Sequence, residues 1–392
     1  MKTDFVLAVE NSTASVVSNK NLQCGNYQEL ICSSFSKNGA KALLCYEKGW
    51  YEAGKQIKDL ICGVGITCFC LDDNVPFEKK AVKLLDSVQS LQEIVVVGDE
   101  QMALFALKYC TGKVLRVIYI PLDYSFASYL LFAVQRGKDD LLLIDESLLL
   151  QCGKNKLADG IRTVLSKKLF FVEMLVNQAI EGDIPNEKAE ILLNNGQKSL
   201  TNYLKSGRIC DLVIALVLSV IGESCLRVGN VVRSASELLL RMQSLSLSGE
   251  REYLLYKMVL RAYELYFSND TTFTLSIPGV VLEEAEIKSL YASDYAQPKI
   301  YLPKYIYDFD AIESLKKKVM QNGELLKEIK AQLAQIEGDS ITLKKQYGGR
   351  KYSVEHYNAK QRAKALYLAP YITEKPTAFH LLFASGVTQY LK

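Results

Sequence analysis

Apolar and polar positions follow two regimes along the chain. Over the first 150 residues, short apolar runs alternate with charged segments of helical spacing. Lys41–Tyr46 (KALLCY), Gly65–Leu71 (GITCFCL), Glu93–Val97 (EIVVV, closed by Gly98) and Leu115–Ile120 (LRVIYI, closed by Pro121) predict buried strands. Leu130–Gln135 and Asp140–Ile144 predict two more. Between the runs, Glu52–Leu60, Glu78–Leu91 and Gln101–Cys110 carry the 3.6-residue period of helices. Strand and helix in alternation, with strands apolar on both faces, predict a parallel sheet covered by helices.

After about residue 153 few β-branched runs remain. Lys156–Ile180, Lys188–Lys205, Asp211–Arg227, Ser234–Gln243, Glu250–Phe267 and Asp310–Ile336 all have helical spacing. The chain thus reads as an α/β Rossmann-like domain over residues 1–152 and an all-helical domain over 153–392, with a cleft between them. In the last helix Ile312, Leu315, Val319, Leu326, Ile329, Leu333 and Ile336 share a face with Asn322. That face either packs into its own domain or forms a short coiled coil with one polar register residue. Lys344–Tyr352 (KKQYGGRKY) reads as a basic surface loop, with non-specific phosphate contact as the alternative.

Composition narrows the function classes. The 392 residues are 49% hydrophobic and 23% charged, ample for more than one core. A net charge of +3 supplies no field for wrapping nucleic acid or holding an anionic membrane surface. The longest apolar run, Leu212–Ile221, is half a membrane span and is followed by Glu223. The N-terminal apolar stretch is interrupted by Glu10 and does not read as a secretory signal. Ten cysteines lie mostly in apolar runs without a C-x-x-C pair, which predicts reduced thiols and a cytoplasmic location. There are two histidines: His380 sits in an apolar run (AFHLLFA) and reads as a core residue, and His356 as a surface one. Two histidines cannot supply a His-rich metal site and leave few candidates for a His-based triad.

Candidate chemistry is sparse. Gly63-Val64-Gly65 lacks a third glycine and precedes a strand, so it is not a dinucleotide loop. Val97-Gly98-Asp99-Glu100-Gln101 is better placed, following a strand and opening a helix, where amide N–H groups meet a pyrophosphate. It has one glycine, and its two carboxylates would repel that ligand. Asp99 and Glu100 therefore read as acids that complement the dipole of the helix they open.

Several further segments stand in a telling order. These are Gly25–Leu30 (GNYQEL), Gly39–Tyr46 (GAKALLCY), Ala53-Gly54, IVVVGDEQMALFALKY, Tyr119-Ile120-Pro121, Leu143-Ile144-Asp145, Ala158-Asp159-Gly160 and Ala365–Leu391. Their succession resembles the glycerol-1-phosphate dehydrogenase branch of the iron-containing alcohol dehydrogenase and dehydroquinate synthase superfamily, over nearly the whole chain. The resemblance implies a dehydroquinate synthase-like fold, NAD(P), a zinc or iron ion, and a phosphorylated polyol as substrate. The positions equivalent to the coenzyme site are Gly98, Asp99, Glu100, Gln101, Pro121 and Ser125, and the substrate-side Asp appears as Ala127.

The departures from that family are located. Its metal is held by one Asp and two His. At the corresponding positions stand Thr163, Leu238 and Ser248. Leucine cannot coordinate a metal, and neutral hydroxyls are poor ligands beside carboxylate or imidazole. Asp159, Glu237 and Glu250 lie close by in sequence and are the candidates for an oxygen-only Mg²⁺ or Mn²⁺ site. Otherwise Asp159 caps its helix and the glutamates make hydrogen bonds or ion pairs.

The expectation is a degenerate homologue without metal-dependent redox activity, which binds a nucleotide or phosphorylated metabolite or serves as a partner subunit. One alternative is an NAD(P)-dependent oxidoreductase with a rebuilt metal site. Another is an assembly module, homo-oligomeric through the 312–336 helix. Nucleic acid and membrane are not expected partners.

Overall fold

The apolar runs of the first half become strands: β1 (Leu22–Cys24), β2 (Lys41–Glu47), β3 (Ile66–Leu71), β4 (Leu91–Gly98), β5 (Arg116–Pro121) and β6 (Leu141–Ile144). The computed structural model describes residues 3–18, 20–34, 41–47, 51–60, 66–71, 91–98, 100–110, 115–136, 139–182, 186–226, 229–242, 248–268, 280–291, 300, 309–347, 359–373 and 377–384. The strands form one six-stranded sheet in the order β1-β6-β5-β4-β2-β3, and every pairing is parallel.

Period-2 alternation sorts the strand side chains. Ala42, Leu44, Val95, Val97, Ile118, Ile120, Leu141 and Leu143 share a core with Tyr27 and Ile31 of α2 (Tyr27–Ser34) and Ile57 of α3 (Tyr51–Leu60). The chain enters through α1 (Asp4–Thr13), capped by the Thr3 hydroxyl. Two further helices, α4 (Glu100–Tyr109) and α5 (Ala127–Arg136), pack against β4, β5 and β6. Burial on both faces is why the strands read as continuous apolar runs.

Leu130–Gln135, expected as a strand, lies inside α5. Tyr129, Leu130 and Ala133 are buried at helical spacing, and a run that short does not separate period 2 from period 3.6. Leu91 opens β4 rather than closing a helix, and the rest of the expected Glu78–Leu91 helix lies outside the described residues, as does Gly63-Val64-Gly65.

A buried ion pair locks this half. Both oxygens of Asp140 lie 2.8 Å from Arg136 Nη1, and Asp140 Oδ1 also accepts the Val117 N–H at 2.9 Å. Arg136 Nη2 donates to the carbonyls of Cys110 and Leu115. One pair thus ties the end of α5 to the end of α4 and the start of β5.

The helices that follow are α6 (Glu146–Leu150), α7 (Lys154–Ser166), α8 (Leu169–Glu181), α9 (Glu187–Ser206), α10 (Ile209–Cys225), α11 (Val231–Met242), α12 (Ser248–Ser268), α13 (Val280–Leu290), α14 (Phe309–Met320), α15 (Gly323–Tyr347), α16 (Ala359–Ile372) and α17 (Ala378–Ala384). Two compact units result: Met1–Ile161 with Asn194–Ser224, and Arg162–Leu193 with Cys225–Lys392. A cut at residue 152 follows the change from strands to helices. Compactness divides the chain elsewhere, inside α7 and α9, because α10 belongs with the sheet-bearing unit. Residues 212–223 of α10 are buried all round, and no helix among the described residues is long and apolar enough to cross a membrane.

Two expected long helices are each broken. Lys156–Ile180 turns at Lys167 and Lys168, where Lys167 is buried in an ion pair with Glu252. Asp310–Ile336 breaks at Asn322, whose side chain accepts the Leu325 N–H at 3.1 Å and caps α15. Asn322 is therefore a cap and not a register residue. Val319, Leu325, Ile329, Leu333 and Ile336 are buried within their own unit, where α14 and α15 pack on α8 and α15 also packs on α12. The basic segment Lys344–Tyr352 continues α15 as far as Tyr347, and its remainder lies outside the described residues.

Candidate functional site

In an open parallel sheet, ligands bind beyond the carboxyl ends of the strands, where the strand order reverses. Here the reversal falls between β2 and β4. The turn after β4 is the one that the sequence singled out. Gly98 has φ 121°, a left-handed conformation open to glycine and strained for other residues. Its carbonyl accepts the buried Tyr119 hydroxyl at 2.9 Å. Pro121 stands beside Gly98 in register at the end of the neighbouring strand β5. Two of the six positions that the resemblance implies for the coenzyme thus stand side by side at the sheet edge. Asp99 lies outside the described residues, and of Gln101 only the backbone, in α4, is described.

Glu100 lies in the first turn of α4, as the sequence suggests, and its carboxylate also reaches the next helix. Its Oε1 accepts the N–H groups of Ser128 at 2.7 Å and Tyr129 at 3.1 Å, in the first turn of α5. The acid therefore occupies the amides that an anionic ligand would use there. Asp145, at the end of β6, repeats the arrangement. It caps α6 through Ser147 at 2.7 Å and accepts the Tyr27 N–H of α2 at 2.8 Å. Glu100, Asp123 and Asp145 are all buried along this edge. A phosphate placed about 4 Å from an ionised Glu100 would be opposed by roughly 4 kcal/mol at a near-surface dielectric.

The loop after β5 carries the remaining candidate positions. Asp123 accepts the Ser125 N–H at 2.7 Å and pairs with Lys156 at 2.6 Å. The Ser125 hydroxyl lies 3.1 Å from Asp159. Asp159 is buried in the middle of α7, so it holds this loop and does not cap its helix. Ala127 is buried as the first residue of α5. Burial raises the Cys152 thiol to about 11, which keeps it protonated and unreactive at neutral pH.

The positions that the resemblance sets against the metal ligands lie on three helices. Thr163 is buried in α7, Leu238 is buried in α11, and Ser248 opens α12, where only its backbone is described. Glu237 is half-buried and partnered, and the Glu250 side chain lies outside the description. Four residues after Thr163, Lys167 meets Glu252, four residues after Ser248, at 3.2 Å, and the Ser166 hydroxyl also reaches Glu252 at 3.3 Å. Among the described residues no group of three or more His, Cys, Asp or Glu side chains stands close enough to share an ion. Among the described residues at these positions the donors do not fit a zinc or iron ion, because Leu238 offers no donor atom and Glu252 is committed to Lys167.

Sequence reasoning missed Glu173, a carboxyl with no countercharge in the run FFVEMLV. A lone acid flanked by apolar residues on both sides was the available signal. Glu173 Oε2 accepts the Ala378 N–H at 2.7 Å, and Oε1 accepts the Tyr263 hydroxyl. Burial pushes it up to about 7, against the pull of those two donors. His380 is the core histidine expected: it is buried, with its ring nitrogens against Thr377 and the Pro370 carbonyl.

Comparison with solved structures bears on the architecture. A structure of 1,3-propanediol oxidoreductase aligns with a TM-score of 0.56 at 12% identity, over 95% of this chain and 98% of that one. The Escherichia coli K-12 protein YQHD aligns at 0.52 and 10% identity, over 96% and 98%. An iron-containing alcohol dehydrogenase from Corynebacterium glutamicum aligns at 0.51 and 11% identity, over 95% and 94%. The fold is that of the iron-containing alcohol dehydrogenases. This is the two-domain fold shared with dehydroquinate synthase, as the order of segments implied. Likeness at such identity concerns the fold alone. No family model and no curated protein sequence matches the chain.

Proposed function

We propose that this protein is a degenerate relative of the glycerol-1-phosphate dehydrogenase branch, which keeps the fold without metal-dependent redox chemistry. It acts as a binding or partner protein, and its ligand class is a nucleotide or phosphorylated small molecule met elsewhere than at the α5 amides. The observation that carries this reading is Leu238, buried and donorless at a ligand-equivalent position. In a polyol dehydrogenase the metal's contribution is to polarise the alcohol oxygen so that hydride can leave. Thr163, Leu238 and the Lys167–Glu252 pair provide no seat for such an ion. The Glu100 carboxylate supports the same reading at the coenzyme end, because it fills the anion position of α5.

Fluorescence titration of the full chain with NADH and with NADPH tests the coenzyme half. No saturation is expected up to millimolar concentration. Saturable binding of either in the micromolar range would favour the rebuilt oxidoreductase.

A further inference from the structure

We draw no further inference here: the strongest candidate, the small open depression that Glu173 lines between α8 and the start of α11, carries nothing, because both Glu173 oxygens are already engaged by Tyr263 and Ala378 and no feature among the described residues shows what would occupy it.

Discussion

Asp140→Ala is expected to destabilise the sheet-bearing unit by about 3–5 kcal/mol, the largest effect of any single change considered. Asp140 is wholly buried, and its carboxylate faces Arg136 at 2.8 Å from both oxygens. Removing it leaves a guanidinium enclosed beside the Cys110 and Leu115 carbonyls with no anion, and leaves the Val117 N–H without its acceptor. The penalty is that of stranding a buried charge and not the net worth of the pair. Urea denaturation of the single variant and of Asp140→Leu with Arg136→Met separates the two. The double variant is expected to recover most of the loss, because it strands no charge. A loss under about 1 kcal/mol for Asp140→Ala would show that water reaches Arg136.

Gly160→Ala is expected to cost about 1–3 kcal/mol by overpacking, and a larger side chain more. A Cβ on Gly160 would lie 2.5 Å from the Cβ of Tyr124 and 3.7 Å from a methyl of Leu216. The Tyr124 Cβ is fixed to the backbone of the β5–α5 loop and cannot swing aside. That same loop carries Asp123 and Ser125, which bind Lys156 and Asp159. The substitution is therefore expected to move the Asp123–Lys156 pair as well as to lower stability. Thermal unfolding gives the cost, and chemical shifts of Ser125 and Asp159 report the displacement. An unchanged melting temperature would mean that α7 can back away from the loop.

The fold was legible where short apolar runs were rich in β-branched residues. EIVVV and LRVIYI read as buried strands on that ground, and β4 and β5 lie side by side in the sheet. Leu130–Gln135 misled because α5 is buried on several sides, so its polar stripe is too narrow to show a period. Breaks in helices were hidden for a related reason. Asn322 caps by a side-chain hydrogen bond that a tally of apolar positions cannot register. The break at Lys167 and Lys168 was hidden as well, because Glu252, the partner of Lys167, lies far away in sequence.

The candidate site was legible in part. The turn at Gly98 fell where the strand order reverses, as a strand followed by a helix requires. The target of the Glu100 carboxylate was not legible. A helix dipole argument assigns an acid to its own helix, whereas the fold brings the α5 amides within 2.7 Å of it. Asp159 illustrates the same limit, since its partner Ser125 comes from another loop. Several of the chain's 23 tyrosines pack in the cores of both units. Tyr119 and Tyr129 fill the sheet-bearing unit, and Tyr263 and Tyr266 the helical one.

The claim that the metal seat is lost meets its most direct test in metal analysis. The purified full chain, incubated with Zn²⁺ or Fe²⁺ and desalted, is examined by mass spectrometry for bound ion and assayed for NAD(P)-linked oxidation of polyols and their phosphates. The account predicts far less than one ion per chain and no turnover. One tightly held Zn²⁺ or Fe²⁺ per chain that supports such oxidation would contradict it.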